Sequence, residues 1–152
     1  MDQKTPESEI IFGLEKIYLK DVSYEAPNVP HFFMEKNAPE VGIQLAIDHG
    51  LVHEPEGVFE VILSVTVTAK FQEKAVFLTE AKQAGLFRIR GMAGDDLERV
   101  LEITCPNILL PFAREAINDL VGKGGFPQLL INPINFEALY QQKHATADMP
   151  KH

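Results

Sequence analysis

The sequence predicts an α+β fold in which helices cover one face of a four-stranded antiparallel sheet. Apolar and polar residues alternate with a period of two in the first half of the chain, and the period changes to 3.6 after Gly91. The turns at residues 53–57 and 72–74 are so short that the strands they join must be antiparallel. Because 152 residues suit one compact core, we expect a single domain over residues 1–152, with its helices after its strands.

Four segments show the alternation of half-buried strands, and they are residues 10–25, 40–48, 59–71 and 75–83. In the first strand, Asp21 and Glu25 fall on one side. In the fourth strand, Phe77 points inward while Leu78 and Glu80 point outward. The alternation therefore places the carboxylates and the leucine away from the core.

The segment between the first two strands, residues 26–34, is predicted to be an extended crossover, because its two prolines do not fit regular structure. It carries three large apolar side chains, which is unusual because loops normally lie in water. These side chains are Phe32, Phe33 and Met34.

Helical periodicity follows the sheet. An aspartate at residues 95–96 is expected to cap a short helix, which Pro106 ends. A longer helix is predicted from residue 107 or 108 to residue 121, and the glycine-rich residues 122–125 end it.

Pro133 opens a last helix with an apolar face. That face consists of Phe136, Leu139 and Tyr140. Residues 1–9 and about 141–152 are polar, so we expect both ends of the chain to be flexible.

The charge of the chain disfavours nucleic-acid binding. Lysine and arginine number 14 against 22 aspartates and glutamates, which gives a formal net charge of −8 and a sequence pI of about 5.1. Such a protein repels phosphate backbones and attracts basic partners. The N-terminus lacks the basic and apolar runs of a signal peptide, and no apolar run approaches the roughly 20 residues that span a bilayer. We therefore expect a cytoplasmic protein that does not insert into membranes.

No residue pattern indicates an enzyme. Cys105 is the single cysteine, and a lone cysteine is far more often a buried apolar residue than a nucleophile. The histidines form no H-E-x-x-H pattern, and His49 and His53 flank a turn. Residues 122–125 have the composition of a phosphate loop, but they follow a helix rather than a strand. We predict no catalytic residues, no metal and no cofactor.

Two candidate binding surfaces remain. The outward carboxylates of the strands form either an ordinary solvated face or a docking patch for a basic partner. The crossover and the last helix either cover the core or line a groove, since aromatic and methionine side chains adapt to many ligand shapes. The residues by themselves leave both alternatives open.

Four motifs resemble the SecB family of protein-export chaperones. They are IYLKDVSYEAPNVP at residues 17–30, CPNILLPFARE at residues 105–115, FPQL at residues 126–129 and PINFEALY at residues 133–140. Their order and spacing agree with the family over nearly the whole chain, roughly from residue 10 to residue 140.

The resemblance implies an ATP-independent holdase that keeps secretory precursors unfolded and delivers them to the motor ATPase SecA. It implies that the zinc-bearing basic C-terminal tail of SecA docks on the residues that match the family's surface, which are Asp21, Glu25, Leu78 and Glu80. It also implies a client groove lined by the crossover and the last helix. The matching residues are Pro27, Pro30, Phe32, Phe33, Met34, Phe136, Leu139 and Tyr140.

The family assembles as a dimer of dimers, so the resemblance implies a homotetramer. The wide apolar arc of the long helix suits burial between subunits, and we expect the interface to use Phe112, Ala116, Ile117 and Leu120. Family members often carry tryptophan where Asn37 stands, and this chain has no tryptophan. The alternative function is a SecB-like chaperone dedicated to a single partner such as an antitoxin.

Overall fold

The strands form one antiparallel sheet, as predicted. The computed structural model describes residues 9–148. Its strands are β1 (Ile11–Glu25), β2 (Glu40–His53), β3 (Val58–Phe71) and β4 (Lys74–Arg90). Their order across the sheet is β1–β4–β3–β2. β1 and β2 are therefore the two edges, and the crossover between them passes from one edge to the other.

Two strands continue beyond their predicted ends. β2 runs to His53, and β4 runs to Arg90 instead of residue 83. In β4, Phe87 and Ile89 are still buried, so the inward row persists to the end of the strand. The inward row of β3 is fully buried and consists of Val61, Leu63, Val65, Val67 and Ala69. One face of the sheet is thus apolar. The opposite face is mainly polar towards the β3–β4 hairpin and includes Ile62, Ala84 and Leu86 farther from it.

A tight hairpin joins β3 to β4 through Gln72 and Glu73, one residue fewer than predicted. Both residues have positive φ, of 50° and 71°. Two central residues in the left-handed region form a type I′ turn, whose twist matches that of the flanking strands. Neither side chain favours this region, because the Cβ atom crowds the backbone carbonyl there.

Residues that favour a type I′ turn should therefore stabilise the hairpin. We expect Gln72→Asn combined with Glu73→Gly to raise the free energy of unfolding by about 1 kcal/mol, because asparagine and glycine adopt positive φ at lower cost. Urea denaturation followed by circular dichroism measures the change. Glu73→Ala serves as the control, since alanine keeps the Cβ atom and should give no gain. A double variant no more stable than wild type would contradict the turn assignment.

Three helical segments follow β4 without the interruption expected at Pro106. They are α1 (Gly94–Arg99), a π-helical turn (Val100–Thr104) and α2 (Cys105–Lys123). The predicted helix end at Pro106 is therefore wrong. The π-helical turn shifts the hydrogen-bond register, so Pro106 falls in the first turn of α2, where a missing N–H is tolerated.

The start of α1 also differs from the prediction. α1 begins at Gly94, after Ala93 in extended conformation, and no side chain caps it. Asp95 and Asp96 lie inside the first turn, so neither is the cap residue. Their negative charges instead lie near the positive end of the helix dipole.

α2 packs on β3 and β4 through a row of residues spaced four apart. The row consists of Cys105, Leu109, Ala113, Ile117 and Val121, all of them 0% exposed. The helix passes close over β4, because a Cβ atom added to Gly85 would lie 3.1 Å from Leu109 Cδ2. α2 ends at Lys123, and Gly125 has a φ of 90°, so the glycine-rich stretch ends the helix as predicted.

The last helix, α3 (Phe136–Asp148), is longer than predicted. It includes residues 141–148, which the sequence led us to expect as part of a flexible end. The rest of the expected flexible ends, residues 1–8 and 149–152, lies outside the described residues. α3 packs against the π-helical turn. Within the described part of the chain, no helix is both long enough and apolar enough to span a membrane.

Candidate functional site

The four residues predicted to form a docking patch project from the polar face of the sheet on neighbouring strands. Ser23 pairs with Glu80, Glu25 pairs with Leu78, and Asp21 lies two residues before Ser23. Because side chains alternate across a strand, the three carboxylates and Leu78 share one face. We call Asp21, Glu25, Leu78 and Glu80 the acidic patch.

The basic neighbour of the acidic patch is Lys82, which lies opposite Asp21 on β4. Within residues 9–148, no salt bridge involves Asp21, Glu25 or Glu80. The Thr66 hydroxyl donates a 2.8 Å hydrogen bond to Glu80 Oε2 and so orients this carboxylate. A surface depression of about 350 Å³ lies beside Leu78. Negative charge around a half-buried leucine is complementary to a basic segment with an apolar side chain.

Farther along the same face, acidic side chains are already paired. Glu60 accepts hydrogen bonds from Lys20 Nζ at 2.8 Å and from the Tyr18 hydroxyl at 2.5 Å, and these donors hold the pKa of Glu60 below its usual value. Arg88 forms a salt bridge with Glu15. At this end of the face the acidic side chains form ion pairs with lysine or arginine, whereas those of the acidic patch do not.

The crossover contains a short 3₁₀ helix, His31–Met34, so the prediction of a fully extended segment is wrong. Prolines tolerate a helical turn that begins directly after them, and Pro30 occupies the N-cap position here. The turn leaves Phe32 half-buried, whereas Phe33 is 45% exposed and Met34 is 82% exposed. The crossover thus presents apolar side chains to solvent.

Five aromatic rings gather where the crossover meets the hairpin end of β3 and β4. Phe32 contacts Phe71 edge-on with 5.6 Å between ring centroids, and Phe33 lies 5.3 Å from Phe126. Phe126 in turn lies 4.9 Å from Phe77. We call these five residues the aromatic cluster. Ring pairs of this kind contribute about 0.5–1.5 kcal/mol each beyond area burial, so the inner rings hold Phe33 in place at the surface.

The last helix contributes differently to the predicted groove. Phe136 and Tyr140 are buried, at 3% and 8% exposure, whereas Leu139 is 39% exposed. The Tyr140 hydroxyl donates a 2.9 Å hydrogen bond to Glu98. Among the described residues, no ring contact joins α3 to the aromatic cluster. The two halves of the predicted groove therefore do not meet through their aromatic rings.

Edge strand β2 extends between these two halves. Its helix-facing side carries a row of apolar residues, which we call the β2 strip: Val41, Ile43, Leu45 and Ile47. Val41 and Ile43 are 43% and 40% exposed, while the other two pack on the core. The strip starts beside the aromatic cluster and leads to His49, which contacts the helices. At about 3.3 Å per residue, residues 41–49 cover roughly 26 Å.

The alternation over residues 40–48 predicts a half-buried strand, but it does not show that part of the apolar row is exposed. The exposure of the β2 strip follows from the position of β2 at the edge of the sheet, where α2 does not cover it. Alternation does not reveal the order of the strands in the sheet. The exposure of the strip could therefore not be predicted from the sequence pattern.

A buried ionic contact was also missed. Glu102, in the π-helical turn, has a side chain that is 9% exposed. His49 Nε2 lies 2.9 Å from Glu102 Oε2, and Lys143 Nζ lies 3.3 Å from Glu102 Oε1. His49, which the sequence placed beside a turn, thus connects β2 to the helices. No local pattern could pair residues separated by 53 and 41 positions.

Cys105 lies in the core, the position that a lone cysteine most often takes. It is 0% exposed, and burial raises the pKa of its thiol to about 12. At neutral pH the thiol therefore stays protonated and is a poor nucleophile.

The residues expected at a subunit interface divide into two sets. Ile117 is 0% exposed within the core of the chain and has no surface left for a partner. Phe112 is 43% exposed, and Ala116 and Leu120 are half-buried. A depression of about 480 Å³ separates Phe112 and Ala116 from β1. The surface available for an interface on α2 is thus narrower than the sequence predicted.

Comparisons with known proteins agree with one another. The family described as SecB, preprotein translocase subunit SecB, matches residues 5–147. The protein-export protein SecB of Chromobacterium violaceum is 52% identical over 134 residues, which cover 88% of this chain and 88% of that protein. The protein-export protein SecB of Methylobacillus flagellatus is 47% identical over 137 residues, which cover 90% of this chain and 86% of that protein.

A solved structure has a similar fold. It is a SecB-like chaperone of Mycobacterium tuberculosis in complex with a peptide from an antitoxin, and it matches with a TM-score of 0.63. The match covers 81% of this chain and 90% of that one at 21% identity, so it shows likeness of fold.

Proposed function

The chain belongs to the SecB family and is a protein-export chaperone, and we propose that it works as an ATP-independent holdase whose client groove follows β2. The groove has the aromatic cluster and Met34 at one end, the β2 strip along its length and Leu139 of α3 at the other end. The observation that carries this proposal is the exposed apolar row on an edge strand.

An edge strand offers what an unfolded chain needs. β2 pairs with β3 on one side, and among the described strands none pairs with its other side. Its free N–H and C=O groups can therefore bind the backbone of an extended client, whatever the client sequence. The neighbouring Val41, Ile43, Phe33 and Met34 accept varied apolar side chains. Backbone bonding with adaptable apolar contacts suits many unrelated clients.

The acidic patch is proposed to dock the basic, zinc-bearing C-terminal tail of SecA. The support is the cluster of unpaired carboxylates around Leu78 on a protein of net charge −8. The patch projects from the face opposite the β2 strip, so client and SecA can bind at the same time. In this proposal the protein acts in the cytoplasm, uses no cofactor and catalyses no reaction.

Assembly is proposed to follow the dimer of dimers implied by the family. Phe112, Ala116 and Leu120 provide the exposed and half-buried apolar surface of α2 for this contact. Several grooves on one tetramer would bind different segments of one long client. The high effective concentration of the second and later segments would make the overall affinity much greater than that of a single contact.

The test is aggregation of a slowly folding secretory precursor diluted from denaturant without nucleotide. We expect this protein to suppress light scattering near one tetramer per client, with the mass measured by multi-angle light scattering. A folded tetramer that leaves aggregation unchanged would exclude a general holdase.

A chaperone dedicated to one partner is the second candidate, because the SecB-like structure named above was solved with a peptide from an antitoxin. A pull-down from cell extract separates the two functions. A spread of precursors supports the holdase, whereas one stoichiometric partner supports the dedicated chaperone.

A further inference from the structure

Glu102 is a buried charge. The residue is 7% exposed, and no other acidic or basic residue of the described chain is as buried. A buried carboxylate is costly unless cations and hydrogen bonds compensate it. His49 and Lys143 are the side chains that compensate it, and they come from β2 and α3. Glu102 therefore connects the edge strand to the last helix.

The π-helical turn directs Glu102 inward. Leu101 and Glu102 are both buried although they are adjacent in sequence. A regular α-helix buries residues three or four apart, whereas a π-helical turn places more residues in each turn and widens the buried arc. The π-helical turn thus brings the carboxylate of Glu102 within reach of Lys143 on α3.

The other ionic contacts of α3 have no buried partner. The salt bridge between Arg99 and Glu137 and that between His144 and Glu98 join side chains that are all more than 40% exposed. Solvent and salt screen such pairs, so each contributes little. Neither contact reaches β2. Among the described residues, the contact at Glu102 is the ionic link between the two sides of the proposed groove.

We propose that Glu102 is a positioning residue for the client groove: through His49 and Lys143 it fixes the distance between α3 and the β2 strip. This inference rests on the proposed function, since the groove is the site that it regulates. When the contact to Lys143 opens, the C-terminal part of α3 moves away from the strand about the buried residues Phe136 and Tyr140, and Leu139 closes that end of the groove less firmly. A bound client then dissociates faster.

Hydrogen exchange of the α3 amides tests the positioning role without any client. We expect Glu102→Gln to lower protection over residues 136–148 about tenfold, because the neutral amide no longer holds Lys143. Lys143→Gln should lower it about two- to fivefold, since that side chain is mostly exposed. Lys143→Arg keeps the charge and should restore protection. Lys123→Gln is the matched control, because it breaks an exposed pair with Asp119 on α2.

Salt dependence separates positioning from a general loss of packing. Added salt should weaken α3 protection in the wild type, whereas Glu102→Gln should show little further change. Lys143→Gln is also expected to leave the urea midpoint unchanged, so a folding defect cannot account for its effect. Equal α3 protection in wild type, Glu102→Gln and Lys143→Gln would overturn the proposal.

Client retention is measured with a fluorescently labelled, unfolded peptide of roughly twenty residues that alternates apolar and basic side chains. We expect its dissociation rate to rise about two- to fivefold in Lys143→Gln and to match wild type in Lys143→Arg and Lys123→Gln. Unchanged dissociation in Lys143→Gln, despite faster exchange of α3, would overturn the link to the groove. A peptide that does not bind the wild type would count against the proposed function, and the exchange result would still decide whether Glu102 positions α3.

Discussion

Reversing one charge in the acidic patch, by Glu80→Lys, is expected to weaken binding of the basic SecA tail by about 2 kcal/mol, or about thirtyfold. Glu80 lies at the centre of the patch, paired with Ser23 and oriented by the Thr66 hydroxyl. A lysine there removes an attractive charge and adds a repulsive one beside Glu25 and Leu78. Isothermal titration calorimetry with a synthetic SecA tail peptide and bound zinc measures the loss.

The control for this variant is Glu54→Lys. Glu54 is exposed in the turn between β2 and β3, at the end of the sheet away from the hairpin that flanks the patch. It changes the net charge by the same amount, so any general effect of charge appears in both variants. Binding of the SecA tail should be near wild type in Glu54→Lys. An equal loss in both variants, or none in Glu80→Lys, would contradict the assignment of the patch.

The polar face of the sheet could be predicted because it depends on a local rule. Side chains alternate along a strand, so Asp21 and Glu25 share a side whatever β1 pairs with. Pairing of Glu25 with Leu78 then brings the two strands of the patch together. That pairing was not deducible from alternation, and the family resemblance implied only that the four residues form one surface. The order of strands and helices was likewise predicted by the change of period after Gly91.

The features that could not be predicted depend on contacts between distant residues or on irregular helix geometry. A proline usually ends a helix, but the π-helical turn before Pro106 lets this helix continue. Gln72 and Glu73 are not residue types that favour a type I′ turn, and the long strands on both sides impose the turn nevertheless. The contact of Glu102 with His49 exists because tertiary packing brings β2 to the helices.

The largest effect on clients is expected from charging the β2 strip. Val41→Lys combined with Ile43→Lys should weaken binding of an unfolded client by about 2–3 kcal/mol, or roughly a hundredfold, because each ammonium must be desolvated against apolar client side chains. Both residues are at least 40% exposed and lie on an edge strand, so the protein should still fold. Lysine at an edge also discourages pairing with another strand. Fluorescence anisotropy with the labelled peptide described above measures the change.

Gln44→Lys provides the matched control on the same strand. Gln44 lies between Ile43 and Leu45 and projects from the polar face, so its substitution adds a charge to β2 without placing it in the groove. Client binding should be near wild type in this variant, and binding of the SecA tail should be retained in the charged-strip variant. Glu80→Lys should show the reverse, with client binding kept and tail binding lost. Loss of both activities in either variant, with the fold and mass intact, would mean that the two faces do not act independently.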